Sequence, residues 1–189
     1  DNDGNANLSS IFLAIGEISA HLDHDCLIVV KSTVPVGSCE RIEKAIAESI
    51  KPGFWFEVAS NPEFLAQGSA LHDALHPTRI VIGIKSSRAE TLLKKVYATF
   101  DSPIVCVSRE SAEMIKYASN SFLALKISYI NEVANYCEAV GANILEVSQG
   151  MKYDPRIGSS FLNAGIGFGG SCLPKDSLAF CTAAKSRKS

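Results

Sequence analysis

The sequence lacks several features that would assign it to a familiar class of protein. Its 189 residues contain no apolar run of the ~18 residues that a membrane-spanning helix needs, and no signal-peptide pattern opens the chain. The net charge of −2 gives no reason to expect a nucleic-acid partner, which normally requires a basic face. With 47% hydrophobic and 20% charged residues, the composition predicts an ordinary globular protein without a membrane or nucleic-acid partner.

The cysteines also lack the spacing of a metal site or of a disulfide framework. There is no C-x-x-C pair, and no histidine lies at zinc-ligand spacing from a cysteine. Most of the cysteines lie within apolar stretches, where a thiol behaves as a small hydrophobic group. We therefore expect no metal site and a reducing, cytoplasmic setting. The cysteines are Cys26, Cys39, Cys106, Cys137, Cys172 and Cys181.

The first half of the chain alternates the patterns of strands and helices. Ser38 is placed to cap a helix over 39–50, and Ser87 begins a second helix that runs to about residue 100. Short apolar runs between these helices are typical of buried strands. Repeated β-α-β units with short connections imply an α/β fold with a parallel sheet covered on both faces. The predicted strands are 26–30, 56–59, 79–84 and 104–107.

The second half is predicted to be helical. A pattern without proline or glycine runs from Glu110 to Val140, and Gly141 ends it at a C′-like position. A helix of ~30 residues would be roughly 45 Å long, which is more than one small domain needs. Such a helix usually connects domains or subunits, and we favour dimerisation of two identical chains. Further helices are predicted over 144–151 and from about Pro174.

A glycine-rich loop at 163–171 superficially matches a dinucleotide fingerprint. That fingerprint should directly follow a buried strand, and an acidic residue should come about 20 positions later. The segment before this loop is not strand-like, and the sequence has only 19 residues after Gly170. We reject it as a pyrophosphate site. Because glycines let backbone amides approach a ligand closely, a substrate loop is the better interpretation.

Cys172 directly follows this loop and precedes Pro174, which suits a first helical turn. A thiolate at a helix N-terminus is stabilised by the helix dipole and by free amides, as a covalent catalyst requires. A buried structural thiol is an equal alternative on these facts alone. The crowded glycines favour a site that a ligand approaches, since a core cysteine does not require them.

Four other polar residues are candidates for the same chemistry. Lys116 and Asn120 are four apart on the long helix and share a face, where a cation and an amide could stabilise an oxyanion. Glu63 and Thr33 follow predicted strands, at the sheet edge where open α/β sheets bind ligands. The alternatives are a solvated Lys116, a local hydrogen bond of Asn120, and exposed loop side chains without a catalytic role at Glu63 and Thr33.

Six short segments follow one another along almost the whole sequence: 30–37, 60–65, 77–83, 116–120, 154–158 and 168–176. Taken in this order, they strongly resemble the UDP-glucose 6-dehydrogenase family. GDP-mannose and UDP-N-acetylhexosamine dehydrogenases, the neighbouring branches, share Cys172 and Lys116, but the loop at 61–68 looks more like the UDP-glucose branch.

The resemblance implies an oxidoreductase that converts the C6 alcohol of UDP-glucose to the carboxylate of UDP-glucuronate with two NAD⁺. The alcohol would become an aldehyde, Cys172 would attack it, and the thiohemiacetal would lose a second hydride to give a thioester that water hydrolyses. The resemblance implies oxyanion stabilisation by Lys116 with Asn120, proton transfer or water orientation by Asp176, water activation by Glu63, and a place for Thr33 beside the catalytic water or nicotinamide.

The resemblance also implies contacts with substrate and cofactor. Arg156 resembles an arginine that reaches the substrate of the neighbouring subunit, which agrees with a homodimer. Gln67 departs from many relatives, which carry glutamate there, so we expect no role that needs that charge. The implied substrate contacts are Phe64, Leu65, Asn120, Asn163, Gly165, Gly167, Phe168 and Gly169. The implied NAD contacts are Ser32, Thr33, Gln67, Cys172 and Lys175.

The resemblance divides the chain into two parts. Residues 1–108 would be the C-terminal part of a Rossmann-like NAD-binding domain, and residues 109–189 an all-α central domain for dimerisation and catalysis. The family's NAD glycine loop and its C-terminal nucleotide-binding domain are not in this sequence, so we expect no turnover by the 189-residue chain alone. A catalytically silent dimerisation or nucleotide-sugar-binding module is the alternative, as are GDP-mannose and UDP-N-acetylhexosamine as substrates.

Overall fold

The structure, a computed structural model, describes residues 6–50 and 53–186. The chain forms two compact units, one up to Lys116 and one from Tyr117. The elements are α1 (Ser9–His21), β1 (Cys26–Val30), α2 (Ser38–Ser49), β2 (Phe56–Ser60), α3 (Ala70–Leu75), β3 (Ile80–Gly83), α4 (Ser87–Val96), β4 (Ile104–Val107), α5 (Arg109–Val140), α6 (Ile144–Lys152) and α7 (Leu173–Ser186).

The four strands form one sheet in the order β1-β2-β3-β4. The β1–β2 and β3–β4 pairs are parallel, as predicted, but β2 and β3 are antiparallel and pair only through Ser60 and Gly83. The all-parallel prediction is therefore wrong at this pair. Ser60 is the last residue of β2 and Gly83 is the last residue of β3. The segment that connects the two strands therefore stays at the carboxyl end of β2. Its six-residue helix α3, ~9 Å long, does not carry the chain back along β2 as a parallel crossover would.

Buried side chains cover both faces of this sheet. Val58 and Ala59 are successive residues of β2 and therefore point to opposite faces. Val58 belongs to a core that α1 and α2 cover, with Ile42 and Ile46 fully buried. Ala59 belongs to a second core, with Leu93 of α4. Each fully buried aliphatic side chain of this kind contributes about 1.5–3 kcal/mol to stability.

The helix predicted over 39–50 forms as α2, but Ser38 does not cap it. The N-cap is Gly37 at φ +93°, a left-handed conformation that favours glycine. The Ser38 hydroxyl instead donates a hydrogen bond back to the Pro35 carbonyl at 2.6 Å. The cap prediction is therefore wrong, because the Ser38 side chain is committed to the preceding turn.

The helix predicted from Ser87 begins there, with the Ser86 side chain accepting a hydrogen bond from the Ala89 amide. It ends at Val96 and not near residue 100. Beyond it, hydrogen bonds from Ala98 to Lys95 and from Phe100 to Tyr97 turn the chain. These turns bring the Tyr97 and Phe100 rings edge to face, with 5.7 Å between centroids, beside the second core.

Gly83 allows the start of α5 to pack closely against the end of β3. A Cβ atom at this position would lie 2.6 Å from the Ala112 Cβ and 2.8 Å from the Arg109 Cα. Real Cβ atoms do not approach this closely, so only glycine fits without a shift of the helix. The contact places the first turns of α5 against the sheet of the first unit.

The long helix is confirmed, with 32 residues from Arg109 to Val140. Gly141 follows at φ +74°, and the Ala142 amide donates to the Cys137 carbonyl at 3.0 Å. This is the Schellman arrangement, in which glycine takes the left-handed position. Residues 109–186 contain helices and irregular segments and no strand, as the all-α prediction requires. Across 6–50 and 53–186, none of the helices combines the length and the apolar character needed to cross a membrane.

Candidate active site

The first turns of α5 carry a stripe of buried polar residues. Arg109, Glu113, Lys116 and Asn120 follow one another at spacings of four, three and four, which places them on one helix face. They are 4%, 2%, 4% and 7% exposed. Buried charges and amides of this kind require partners, and the partners of this stripe define two groups of candidate residues, one in each unit.

In the first unit, Lys116 is held against Glu63. The Lys116 ammonium donates a hydrogen bond to the Glu63 main-chain oxygen at 2.6 Å and lies 3.3 Å from the Glu63 carboxylate. The lysine side chain is buried, whereas the glutamate side chain is 36% exposed. The arrangement fixes a buried cation beside a carboxylate that water can still reach.

The loop after β2 is shaped by local hydrogen bonds and by Phe64. The Leu65 amide donates to the Glu63 carboxylate at 2.6 Å, which holds that side chain over its own loop. The Arg79 guanidinium lies 3.9 Å from the centre of the Phe64 ring, and the Lys116 ammonium lies 5.2 Å from it. Cations this close to an aromatic face are attracted to it. Glu63, Phe64 and Leu65 are therefore brought together with Lys116.

Asn61 anchors the start of this loop to three elements. Its backbone amide donates to Val30 of β1 at 2.9 Å, and its side-chain amide donates to Val81 of β3 at 2.7 Å. Its side-chain oxygen accepts hydrogen bonds from Lys31, at 2.8 Å, and from the Tyr97 hydroxyl. Asn61 is 1% exposed, and its backbone amide and both polar atoms of its side chain have partners.

A cavity of about 320 Å³ opens beside this loop in the first unit. Its walls combine aromatic and aliphatic side chains with a few polar groups, as small-molecule sites commonly do. The lining residues include Lys31, Asn61, Glu63, Phe64, Leu65, Asp73, Thr78, Arg79, Tyr97 and Phe100.

The proposed cofactor contacts of the first unit lie at the ends of parallel strands. Ser32 and Thr33 follow β1, and Gln67 follows β2; Ser32 and Gln67 are exposed and Thr33 is half-buried. The crevice beyond the carboxyl ends of parallel strands is where open α/β sheets bind nucleotides. Neutral hydroxyl and amide groups suit the amide and ribose of a nicotinamide nucleotide, so these residues fit the edge of such a site.

In the second unit, Asp176 is the centre of a polar cluster. Its carboxylate accepts a hydrogen bond from the Asn120 side-chain amide at 2.6 Å and pairs with the Lys175 ammonium at 2.7 Å. Asp176 is 1% exposed, so this charge is stabilised almost entirely by these partners. Asn120, Lys175 and Asp176 are thus brought together in the second unit.

Cys172 occupies the N-cap position of α7. Its carbonyl accepts the first helical hydrogen bond, from the Asp176 amide at 2.9 Å, and the helix begins at the next residue. The thiol is exposed and lies 3.6 Å from the Ser171 hydroxyl. The N-cap position lies next to the free amides and the positive end of the helix dipole. The Cys172 thiol is accessible, unlike that of a buried core cysteine.

The glycine-rich loop before Cys172 follows an irregular segment and not a strand. The Gly165 amide donates to the Asn131 side chain at 2.8 Å, and the Asn163 side chain accepts from Lys152 at 2.7 Å. Gly165, Gly167 and Gly169 face open space, and Phe168 is partly exposed. Residues 165–171 of the loop are exposed, so a ligand has access to this part of the second unit.

Arg156 is an exposed residue of the second unit. Its guanidinium donates hydrogen bonds to the Asp154 carboxylate of the same chain, at 2.6 and 3.0 Å, and its side chain is 88% exposed. This hydrogen bond with Arg156 lowers the pKa of the Asp154 carboxyl. The structure therefore shows an arginine that Asp154 orients and that projects into solvent.

Glu113, Arg109 and the Lys31–Asn61–Tyr97 cluster are not among the candidates predicted from the sequence. Glu113 and Arg109 share the helix face of Lys116, so spacing on α5 was a signal that could have found them. The Asn61 cluster joins residues 30 to 66 positions apart and has no local signature. Only the folded chain brings these side chains together.

Both parts of the chain match domains of the same family of known proteins. Residues 1–101 match the model of the NAD binding domain of the UDP-glucose/GDP-mannose dehydrogenase family, and residues 110–189 match the model of its central domain. A UDP-glucose 6-dehydrogenase of Rickettsia prowazekii is 52% identical over 179 residues, which are 93% of this chain and 41% of that protein. The chain thus spans about two fifths of the length of the curated relatives it matches.

Solved structures of sugar-nucleotide dehydrogenases superpose on nearly the whole chain. A UDP-glucose dehydrogenase from Pyrobaculum islandicum superposes with a TM-score of 0.95 at 44% identity, covering 100% of this chain and 44% of that one. A GDP-mannose dehydrogenase from Pseudomonas aeruginosa superposes with a TM-score of 0.73 at 31% identity, covering 98% of this chain and 45% of that one.

Proposed function

Since the chain belongs to the UDP-glucose/GDP-mannose dehydrogenase family, we propose that it forms part of an enzyme that oxidises UDP-glucose to UDP-glucuronate with two NAD⁺. The observation that carries this proposal is the 52% identity, over nearly the whole chain, to a protein named UDP-glucose 6-dehydrogenase. Because the chain spans 41% of that relative, we assign the activity to a protein of the relatives' full length that contains these residues.

Cys172 is the proposed nucleophile. Its thiolate sulfur attacks the C6 aldehyde and forms a carbon–sulfur bond, giving a thiohemiacetal. Loss of the C6 hydrogen as a hydride, which carries both electrons of the oxidation, together with the hydroxyl proton, leaves a thioester. Water then cleaves the carbon–sulfur bond, which releases the carboxylate and returns the thiol. The accessible position of Cys172 at the start of α7 supports this role.

The polar neighbours supply charge stabilisation and proton transfer. The buried ammonium of Lys116, with the Asn120 amide, stabilises the oxyanions of the alcohol and of the thiohemiacetal. Asp176, held by Asn120 and Lys175, assists the proton transfers or orients water. Glu63, whose carboxylate is partly exposed, activates the water that hydrolyses the thioester.

NAD⁺, when bound, accepts the hydride in each oxidation. Ser32, Thr33 and Gln67 of the first unit would hold its nicotinamide end, with Cys172 and Lys175 as further proposed contacts. Thr33, half-buried at the end of β1, would also restrict where the catalytic water can lie. The chemistry requires a reduced Cys172 thiol, which fits a cytoplasmic setting.

Sugar and nucleotide contacts are proposed for both units. Phe64 and Leu65 lie in the loop that Glu63 and Lys116 stabilise, and Asn163 and Phe168 lie in the glycine-rich loop or at its start. The exposed backbone of Gly167 and Gly169 can donate hydrogen bonds to a nucleotide sugar, and Gly165, whose amide donates to Asn131, has no side chain to keep a ligand away. Asn120, whose side chain donates to Asp176, is a further proposed substrate contact.

A homodimer is proposed through one face of α5. Five large apolar side chains on this helix are more than half exposed, at spacings of three, four, seven and four residues. This spacing places them on one face, and an exposed apolar stripe of this kind marks an interaction surface. The exposed Arg156 is proposed to reach the substrate of the partner chain. The stripe is Phe122, Leu125, Tyr129, Tyr136 and Val140.

The deciding experiment is a stoichiometry measurement with the full-length protein. We expect UDP-glucose to be consumed with about two NADH formed per UDP-glucuronate, as a two-step oxidation through a retained aldehyde requires. GDP-mannose and UDP-N-acetylglucosamine serve as matched substrates under the same conditions. Turnover of either one in preference to UDP-glucose would reassign the substrate, and no NAD reduction with any of them would support a silent binding module.

A further inference from the structure

Glu113 joins two segments that are far apart in sequence. One carboxylate oxygen accepts a hydrogen bond from the Gly37 amide at 2.6 Å, and the other accepts one from the Cys39 amide at 2.8 Å. Glu113 is 2% exposed. A buried carboxylate with both oxygens engaged by backbone amides has one well-defined position, because any displacement leaves a buried donor or a charge unsatisfied.

The two amides belong to the first turn of α2, which has no cap of its own. The Ser38 hydroxyl bonds to Pro35, and the Gly37 N-cap has no side chain. The first amides of a helix need acceptors, and a negative charge at this end is favoured by the helix dipole. Glu113 supplies both from α5, so the start of α2 depends on a residue 74 positions from Cys39.

The loop that leads into α2 carries two proposed cofactor contacts. Ser32 and Thr33 lie between β1 and Gly37, and Val34 of the same loop is buried at 2% exposed. The loop is thus held at one end by β1 and at the other by Glu113. On α5, Glu113 lies three residues before Lys116, about one helical turn away.

We infer that Glu113 is a positioning residue, which sets the Thr33 loop at a fixed distance from the Lys116 ammonium. This inference rests on the proposed function, in which Thr33 and Lys116 serve one reaction. Glu113 touches neither substrate nor cofactor and acts through the loop it anchors. Small displacements of a catalytic group reduce the rate strongly, which is why such an anchor affects turnover.

Glu57 provides a matched comparison within the same unit. It is also buried, at 3% exposed, and its carboxylate accepts hydrogen bonds from the Lys85 amide at 2.7 Å and from the Ser86 amide at 3.2 Å. It thereby stabilises the turn before α4, which carries none of the proposed site residues. Loss of this carboxylate is expected to lower stability without moving the Thr33 loop.

The test is Glu113→Gln in the full-length protein, with Glu57→Gln and the exposed Glu110→Gln as controls. Glutamine has the same size, but its amide group is a donor and opposes one of the two backbone amides. We expect kcat to fall between about tenfold and about a hundredfold, with a raised KM for NAD⁺ and a nearly unchanged KM for UDP-glucose. Hydrogen exchange at the amides of Gly37 and Cys39 should accelerate in this variant and in neither control.

Several outcomes would overturn the inference. One is a kcat for Glu113→Gln, per folded molecule, equal to that of both controls; another is unchanged exchange at Gly37 and Cys39. If Glu113→Gln does not fold, Glu113→Asp keeps the charge and shortens the reach by one methylene, and the same two measurements apply. A wild-type protein without NAD-dependent sugar oxidation would reject the proposed function itself, whereas an active wild type with a fully active Glu113→Gln rejects only the positioning role.

Discussion

The Lys116 ammonium donates a hydrogen bond to the Glu63 main-chain oxygen at 2.6 Å and also lies 3.3 Å from the Glu63 carboxylate. The two residues are 53 positions apart, and the contact joins helix α5 to the loop after β2. The lysine is buried and the glutamate is partly exposed, so the cation is held in place while the carboxylate remains accessible to water. A buried lysine suits the proposed stabilisation of oxyanions, and an accessible glutamate suits the proposed activation of water.

Replacing Lys116 with methionine tests the value of this buried cation. The substitution keeps an unbranched side chain one atom shorter and removes the charge that would stabilise an oxyanion, so we expect kcat with UDP-glucose to fall by about 10²–10³. Steady-state kinetics of the full-length protein would measure this loss. The exposed Lys95→Met on α4 is the control, and an equal kcat in both variants would remove Lys116 from the reaction.

Replacing Cys172 with serine tests covalent catalysis. Serine keeps the size and a hydrogen-bonding group but is a much weaker nucleophile at neutral pH, so acid formation should be abolished while UDP-glucose still binds. Product analysis and calorimetric binding would measure the two effects separately. Cys181→Ser, also an exposed cysteine and located on α7, should keep full activity. Normal UDP-glucuronate formation by Cys172→Ser would exclude the thioester.

Replacing Asp176 with asparagine tests the cluster around this buried carboxylate. The change removes the ion pair with Lys175 and turns one acceptor into a donor facing the Asn120 amide. Loss of a buried, charged acceptor should destabilise the protein by about 1–3 kcal/mol and lower kcat. Asp154→Asn is the control, because its partner Arg156 is largely exposed and such surface pairs contribute little. Chemical unfolding that fails to separate the two variants would contradict the assignment.

The buried thiol of Cys39 predicts a dependence of stability on alkaline pH. Burial, and then the neighbouring Glu113 carboxylate, raise the pKa of Cys39 far above its ordinary value of 9.0. Above pH 9.0 the unfolded chain releases the Cys39 thiol proton while the folded protein keeps it. The free energy of unfolding therefore falls as the pH rises. The slope for one such proton is about 1.4 kcal/mol per pH unit. Cys39→Ala should show a shallower decline above pH 9 than the exposed control Cys181→Ala.

The 189-residue chain by itself is expected not to reduce NAD⁺ with UDP-glucose. None of the strands in residues 6–50 and 53–186 is directly followed by the glycine loop that binds the pyrophosphate, and the chain covers 41% of a curated relative. A spectrophotometric assay at 340 nm of the purified chain would decide this, with the full-length protein as the positive control. Measurable turnover by the chain alone would show that these residues suffice.

Much of the local structure follows from the sequence by itself. The apolar run at Cys26–Val30 forms β1 because short buried runs fit a covered strand, and Gly141 ends α5 because glycine accepts the left-handed conformation without strain. Helix α1 was not predicted. Its apolar residues are spread around the helix, and it forms because Ile15 packs into the core beside β1 and α2.

The candidate active site likewise combines features that the local sequence determines with contacts that only the folded chain creates. Helical spacing alone placed Lys116 and Asn120 on one face, and the Gly-Ser-Cys sequence before Pro174 placed Cys172 at a helix start, because both are local consequences of backbone geometry. The contacts between Lys116 and Glu63, between Asn120 and Asp176, and between Glu113 and α2 join residues 53 to 76 positions apart. The antiparallel β2–β3 pair belongs to the same class. Such contacts have no local signature, and only tertiary packing, which satisfies each buried charge with a distant partner, decides them.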